Sequence, residues 1–170
     1  SDSNTLNTVK VVAPAYNYYP SWNGYTKPTG NVVVPQTVTY GQNTYTVVGL
    51  DNRCFNECDG MRAITLPTTI DSIDQYTFYG CGLRSIVIPN SVKYIGNHAF
   101  YDCEFLNSVT LPDSLRCIEV SLFANCDSLT SITIPPLMDS IKGSAFNSSG
   151  LTSIVVPSSV EYIGSYAFAN

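Results

Sequence analysis

Charged side chains are scarce in this sequence, and their scarcity excludes several kinds of partner. They make up 12% of the 170 residues, about half of the roughly 25% that is usual in globular proteins. The eight lysine and arginine residues are scattered along the chain, and the formal net charge is −5. Binding to nucleic acid or to an anionic membrane surface requires clustered basic residues. We therefore expect neither of these partners.

The sequence also lacks the patterns of membrane insertion and of catalysis. No apolar run approaches the roughly 18–20 residues of a membrane span. The chain starts at the polar segment SDSNTLNT, as a processed or trimmed protein would, so the missing signal peptide leaves export open. No phosphate loop, nucleophile elbow, HExxH motif or EF-hand loop is present. We predict no enzyme activity, no cofactor, no metal and no direct insertion into a membrane.

What the sequence does contain is a repeat, with the template L-x-S-I-x-I-P-x-S-V-x-x-I-G-x-x-A-F-x-x-C. The alternation of Ile86 and Ile88 with Ser85 and Val87 indicates a short strand with one buried face. Proline ends this strand because it has no N–H group to donate, and Gly96 is expected to permit a bend. One such coil cannot bury both of its faces, whereas stacked coils can. The template prolines are 22 or 23 residues apart, at Pro67, Pro89, Pro112, Pro135 and Pro157.

The template resembles the BspA-like leucine-rich repeats of bacterial surface proteins. This resemblance covers about residues 50–170, and a leading β-rich segment also resembles that family. It implies a β-rich solenoid, a right-handed stack of 22–23-residue coils with parallel strands, in a protein that is extracellular or attached to the cell surface. We divide the chain into an N-terminal β-rich cap, 1–50, and a solenoid, 51–170, of about five to six coils. We expect the last of these coils to be truncated.

Each template column should form a line along the solenoid. Two aliphatic lines and one line of phenylalanines are predicted to form the core. The phenylalanines are Phe78, Phe100, Phe123, Phe146 and Phe168, with Phe55 as an earlier member. The only histidine, His98, lies in a variable column with Tyr76, Ser144 and Tyr166. The repeat predicts that His98 is exposed and that Cys103 is buried, which argues against a metal or catalytic site shared by the two side chains.

The N-terminal segment is predicted to be a cap that covers the first coil. The run NVVVPQTVTYGQNTYTVVGL indicates a hairpin around Gly41-Gln42-Asn43. Upstream of it, the aromatic residues Tyr18, Tyr19 and Trp22 lie within the segment YNYYPSWNGY. They fit either the packed edge of a cap or an aromatic platform that binds glycan or protein.

Four of the six cysteines occupy one template column and should stack as a structural ladder of buried thiols. They are Cys58, Cys81, Cys103 and Cys126. Their parallel side chains disfavour disulfides, although export would permit oxidation. Cys54 and Cys58 are four residues apart, but no second ligand pair suggests zinc. Cys117 lies in a variable column and is the candidate for a reactive or intermolecular thiol.

The outward positions of the repeated strand form a flat, hydroxyl-rich surface. This surface fits either simple solubility and β propensity or the binding of a ligand. The outward line is Thr65, Val87, Thr110, Thr133 and Val155, and the border is Arg62, Arg84 and Asn107. We predict a non-enzymatic module that binds host protein, extracellular matrix or glycan. The alternative is a structural spacer or assembly module that self-associates end to end.

Overall fold

The computed structural model describes residues 8–13, 15–16, 19–20, 22 and 25–169, and this part of the chain contains strands and turns but no helix. Most strands are two to five residues long, as the short apolar alternation in the template predicts. The strands are β1 (Thr8–Val11), β2 (Ala15–Tyr16), β3 (Tyr19–Pro20), β4 (Gly30–Val33), β5 (Thr37–Tyr40), β6 (Asn43–Leu50), β7 (Met61–Thr65), β8 (Ser72–Ile73), β9 (Ser85–Val87), β10 (Tyr94–Ile95), β11 (Ser108–Thr110), β12 (Cys117–Ile118), β13 (Ser140–Ile141) and β14 (Tyr162–Ile163).

Two parallel ladders join the coils, the first of which ends at β11, and the predicted β-rich solenoid is thereby confirmed. The first ladder has the strand order β11-β9-β7-β4, with Ile86 opposite Val109. The second ladder is formed by β6-β8-β10 and, as a separate sheet, by β12-β13-β14. Its partners lie one coil apart, for example Ile73 opposite Ile95. The coil period of the sequence is therefore also the hydrogen-bond register.

The core between the two ladders contains the predicted line of phenylalanines. Phe78 and Phe100 lie with ring centroids 5.1 Å apart and an interplanar angle of 16°, and Phe55 stacks on Phe78 at 5.6 Å. The stack continues through Phe123 and Phe146 to Phe168 at 5.4–5.5 Å. The four central rings are fully buried, so each coil contributes one aromatic ring to a continuous interior.

The chain turns at residues with positive φ, and most of these are not glycine. Tyr76 (φ 56°) and His98 (φ 57°) belong to one column, and Asp102 (φ 62°) to a second column four residues later. The first column is Arg53, Tyr76, His98, Ser121, Ser144 and Tyr166; the second is Glu57, Gly80, Asp102, Asn125 and Ser148. Gly96 does not have a positive φ and is not one of these left-handed residues. A Cβ on Gly96 would lie 2.5 Å from the backbone nitrogen of Gln75, and close contact is its role.

The connection that follows the cysteine column is one residue shorter in two of the coils, and each short connection contains a glycine. Pro89 lies eight positions after Cys81, whereas Pro112 lies nine positions after Cys103. In the shorter connection, a Cβ on Gly82 would lie 2.0 Å from the carbonyl oxygen of Asp59. Gly150 in the other short connection meets Asp127 in the same way. A coil that is one residue shorter therefore requires glycine at its closest approach to the previous coil.

The N-terminal segment covers the first coil by strand pairing. β5 and β6 form the predicted antiparallel hairpin, with Tyr40 opposite Asn43. β1 pairs in parallel with β6. β4 lies parallel to β7, with Val32 opposite Ile64, and Leu50 at the end of β6 lies opposite Ile73. Both ladders of the solenoid thus extend into residues 30–50.

Candidate ligand-binding surface

The outward side of the first ladder, here called the strand face, has few charges and many hydroxyl groups. Val87 and Val155 are 66% and 84% exposed, while the threonines of the same line are exposed beside them. The next line is occupied by exposed Ser85, Ser108, Ser131 and Ser153. Because alternate residues of a strand point to opposite faces, this surface is a direct consequence of the apolar alternation that forms the core.

The strand face is interrupted by three grooves, each between two neighbouring coils. They form where the coils diverge: β7 and β9 pair only at Ala63 and Ser85, and residues 131–133 lie outside any ladder. The first groove, about 450 Å³, is lined by Ala63, Ile64, Thr65, Leu66, Thr68, Ser85, Ile86, Val87 and Pro89. The second, about 310 Å³, is lined by Val109, Thr110, Leu111, Asp113, Thr133, Pro135 and Pro136. The third, about 500 Å³, is lined by Ser131, Ile132, Thr133, Ile134, Pro136, Ser153, Ile154, Val155 and Pro157.

The grooves bring the predicted outward residues together in pairs. Thr65 and Val87 lie at the first groove, Thr110 and Thr133 at the second, and Thr133 with Val155 at the third. The border residues also stack in register. The N–H group of Arg84 donates to the carbonyl oxygen of Arg62 at 3.1 Å, and that of Asn107 donates to Arg84 at 2.9 Å. These three side chains are exposed along one edge of the strand face.

The N-terminal aromatic residues divide between described and undescribed parts of the chain. Tyr18 lies outside the described residues, and Tyr19 is placed only as a residue of β3, paired with Tyr16. Trp22 is half-buried against the hydrophobic core. Its indole Nε1 donates a 3.2 Å hydrogen bond to the carbonyl oxygen of Cys54. This contact favours the packed-cap interpretation for Trp22, because the polar edge of the indole is used within the fold.

The cysteine ladder has a hydrogen-bonding pattern that repeats from coil to coil. The Sγ atom of Cys81 donates to the carbonyl oxygen of Phe55, that of Cys103 to Phe78 at 3.0 Å, and that of Cys126 to Phe100 at 3.1 Å. Burial raises the pKa of Cys103 to about 12. All three thiols are almost fully buried. They satisfy inward-facing carbonyl groups and are poorly suited to nucleophilic chemistry, which requires the thiolate.

Cys117 is the one cysteine that is not fully buried. Its Sγ accepts a 3.2 Å hydrogen bond from the Ser140 hydroxyl. Burial raises its pKa, and Glu119 acts in the same direction, while Ser140 and Lys142 act against them. Because the net shift is upward, the thiolate form is disfavoured. The side chain is accessible but not activated.

An aromatic cluster on the turn side of the coils was not identified from the sequence. His98 stacks on Tyr76 with ring centroids 4.8 Å apart, and Tyr101 stacks on Tyr79 at 5.4 Å. The Arg53 guanidinium lies 4.5 Å from the centre of the Tyr76 ring. Burial lowers the pKa of His98. The sequence does carry a signal for this cluster, because a pair of aromatic residues three positions apart occurs in two consecutive coils, as Tyr76 with Tyr79 and His98 with Tyr101. Because the ring faces are covered by neighbouring rings, this cluster stabilises the turns of adjacent coils and is not the candidate binding surface.

Residues 8–13, 15–16, 19–20, 22 and 25–169 contain no group of three or more His, Cys, Asp or Glu side chains placed to hold a metal ion. No helix with the length and apolarity to cross a membrane occurs within these same ranges. The strand face remains as the candidate surface, because it combines exposed apolar and hydroxyl groups along consecutive coils.

Solved structures of three bacterial proteins share this fold. A leucine-rich cell surface protein from Faecalibacterium prausnitzii A2-165 is 25% identical, with a TM-score of 0.67 over 97% of this chain and 48% of that protein. A leucine-rich repeat protein from Bacteroides ovatus ATCC 8483 is also 25% identical, with a TM-score of 0.57 over 96% of this chain and 53% of that protein. The pneumococcal vaccine antigen PcpA, 21% identical, has the same fold, with a TM-score of 0.63 over 78% of this chain and 42% of the antigen.

This chain spans about half the length of the first two structures. A comparison with curated proteins found no match. The family model for the BspA type leucine rich repeat region matches residues 49–170 in six copies, which is the region of stacked coils. The chain therefore belongs to the BspA-type leucine-rich repeat family.

Proposed function

We propose that this chain is a non-enzymatic module of the cell surface or extracellular space that binds a protein or glycan ligand on its strand face. The observation that carries the proposal is the strand face itself, where exposed Val87 and Val155 share one line with hydroxyl groups. A repeat protein presents extended surfaces of this kind to its partners. The exposed border residues Arg62 and Arg84 place positive charge along one edge of the strand face.

The comparisons support the proposed location. One similar structure is described as a cell surface protein and another as a vaccine antigen, and both descriptions are typical of proteins exposed outside the cell. The nearly complete burial of five of the six thiols supports a non-enzymatic role, because these groups cannot reach a substrate.

The purified chain should be applied to arrays of extracellular matrix proteins and glycans in three forms. These are the unmodified chain, the double variant Thr110→Lys/Thr133→Lys, and the control double variant Tyr94→Lys/Tyr162→Lys. The control changes exposed residues of the second ladder and adds the same charge. Binding that is lost in the first variant and kept in the control would support the proposal. Binding to nothing, or equal loss in both variants, would refute it.

A second candidate function is assembly through the coil that contains β14. Ile163 is 50% exposed, whereas Ile141 at the equivalent position is fully buried. Val156 is 36% exposed and its equivalent Ile134 only 5%. This apolar surface would suit contact with another coil or another copy. Sedimentation velocity over a wide concentration range tests it: concentration-dependent association that Ile163→Lys abolishes supports assembly, and a monomer throughout excludes self-association.

A further inference from the structure

The first groove has two arginines at one end. Its lining begins with Ala63 and Ser85, and these residues directly follow Arg62 and Arg84 in the chain. The N–H group of Arg84 donates to the carbonyl oxygen of Arg62 at 3.1 Å, so the two side chains start from backbones about 4.8 Å apart. The equivalent positions beside the second and third grooves are uncharged: Asn107, Thr130 and Thr152. Positive charge therefore distinguishes the first groove from the other two.

Neither arginine is neutralised within the described part of the chain. Arg62 and Arg84 are exposed and form no ion pair there, whereas Arg116 pairs with Asp139 at 3.8 Å. The Nη1 atom of Arg62 donates to the carbonyl oxygen of Asp59 at 3.1 Å, which orients the guanidinium group and leaves its other N–H groups available. Two such groups side by side suit a carboxylate, because a guanidinium group presents paired N–H donors to its two oxygens.

The acidic residues of the adjacent turns line a separate notch of about 170 Å³. They are Asp59, Asp102 and Glu104. The residues that line this notch do not line the first groove, and the three carboxylates form no ion pair with either arginine in the described part of the chain. The arginine pair therefore remains the positive end of the first groove.

The rest of the first groove is apolar and weakly polar. Ile64, Leu66, Ile86 and Val87 supply most of its apolar lining, with hydroxyl groups such as that of Thr65 beside them. None of its lining residues is aromatic, so it offers no ring on which a sugar could stack. Its volume of about 450 Å³ lies in the range of roughly 300–1,000 Å³ that is typical of ligand pockets. A carboxylate close to an aliphatic group complements both parts of this surface.

An extended polypeptide can present these two groups at the required spacing. Its residues i and i+2 point to the same side, roughly 6.6–7 Å apart, and the first isoleucines of the groove, Ile64 and Ile86, lie two residues beyond the arginines. We infer that the first groove and its arginine pair bind a segment of a partner protein that carries an acidic side chain and, two residues away, a branched aliphatic one. This inference rests on the proposed function, because it names the chemistry of the ligand for one part of the strand face.

The test is a titration of the ¹⁵N-labelled chain with a capped six-residue peptide that contains glutamate and, two residues later, valine, with serine elsewhere. One matched probe replaces the glutamate by glutamine, and another replaces the valine by serine. A glutamate-free peptide with a free carboxyl-terminal valine and a short oligouronate complete the set. We expect saturable amide shifts centred on residues 62–66 and 84–88 with the first peptide, and much weaker responses to the other probes.

Two double variants of equal charge locate the binding site. Arg62→Gln/Arg84→Gln should weaken binding of the glutamate–valine peptide about tenfold or more, because it removes the charged donors of the carboxylate. Lys93→Gln/Arg116→Gln also removes two exposed positive charges from consecutive coils, but away from the strand face, and should leave binding nearly unchanged. Added salt should weaken binding to the unmodified chain.

The possible outcomes separate this inference from the proposed function. Absence of shifts with the glutamate–valine peptide, an equal response to the glutamine peptide, or equal loss in both double variants would each overturn the inference. Preferential binding of the oligouronate or of the terminal valine would assign the arginine pair to a glycan or a chain end, and the inference would be wrong. If arrays still show binding that depends on Thr110 and Thr133, the proposed function stands without it.

Discussion

The thiol of Cys103 donates a 3.0 Å hydrogen bond to the carbonyl oxygen of Phe78, one coil earlier. The same contact joins Cys126 to Phe100. Each bond connects the cysteine column to the phenylalanine column across a coil boundary, in the dry interior. The cysteines therefore act as small apolar residues that carry one useful donor.

Replacement of Cys103 by alanine removes the donor and leaves a buried carbonyl group unpaired. We expect a loss of about 1–3 kcal/mol in the free energy of unfolding, measured by urea denaturation. Cys103→Ser retains a donor and should lose less. Cys117→Ala, at a half-buried position, serves as the control and should change stability by no more than about 0.5 kcal/mol. Equal losses in the alanine and serine variants would argue against a hydrogen-bonding role.

Thiol labelling should separate Cys117 from the other five cysteines. Burial raises the pKa of Cys103 to about 12 and those of Cys54, Cys81 and Cys126 well above the usual range. At pH 8 the folded chain should react with a water-soluble disulfide reagent at one thiol, slowly, and the unfolded chain at all six. Cys117→Ala should abolish the native reaction. Rapid labelling of several thiols in the folded state would contradict the buried ladder.

Gly82→Ala should be destabilising because its Cβ would meet the carbonyl oxygen of Asp59 at 2.0 Å. Overpacking of this kind costs about 1–3 kcal/mol or more, which thermal and urea unfolding would both reveal. The matched control is Gly143→Ala. The nearest atom to its added Cβ is the Ser165 carbonyl oxygen at 3.3 Å, and a much smaller effect is expected. A neutral Gly82→Ala would mean that the short connection relaxes freely.

The folding stability should depend on pH through His98. Burial lowers its pKa in the folded state, so the unfolded chain binds the proton more readily. The stabilisation is present in full above the unfolded pKa of about 6.5 and is lost as the pH falls through the lower folded value. We expect the unfolding temperature to fall between about pH 7.5 and pH 5.5. His98→Gln should flatten this dependence, and an unchanged profile in the variant would exclude His98 as its source.

Amide hydrogen exchange should map where the first ladder is intact. The N–H group of Ile88 donates to Thr110 at 3.0 Å and should exchange slowly. The equivalent N–H group of Ile134, which lacks a partner among the described residues, should exchange much faster even though its side chain is buried. Equal protection of Ile88 and Ile134 would show that the third groove is closed in solution.

The sequence predicted those features that depend only on the register of the repeat. Once Phe78 and Phe100 share a column, stacking of coils places their rings in contact, and the same reasoning places Cys81 beside Cys103. The third groove could not be predicted in this way. The template assigns Thr133 and Val155 to strands, whereas the structure places neither of them in a ladder. Pairing depends on the exact separation of neighbouring coils, and the repeat pattern does not specify that separation.

The turns were also beyond simple pattern analysis. Left-handed backbone geometry is usually read from glycine, yet Tyr76 and His98 adopt it here. Hydrogen bonds to the next coil hold it in place: the N–H group of Tyr76 donates to Asn97, and that of His98 to Val120. The aromatic cluster follows from these turns, because neighbouring coils present equivalent side chains side by side.

The two left-handed columns have a consequence for how this surface can diversify. Within this single chain, positions of identical backbone geometry carry arginine, tyrosine, histidine and serine in one column, and glutamate, glycine, aspartate, asparagine and serine in the other. The main chain, not the side chain, specifies the corner. A residue at one of these corners can therefore be replaced without a change in the fold. The side chains displayed on this surface can change one coil at a time.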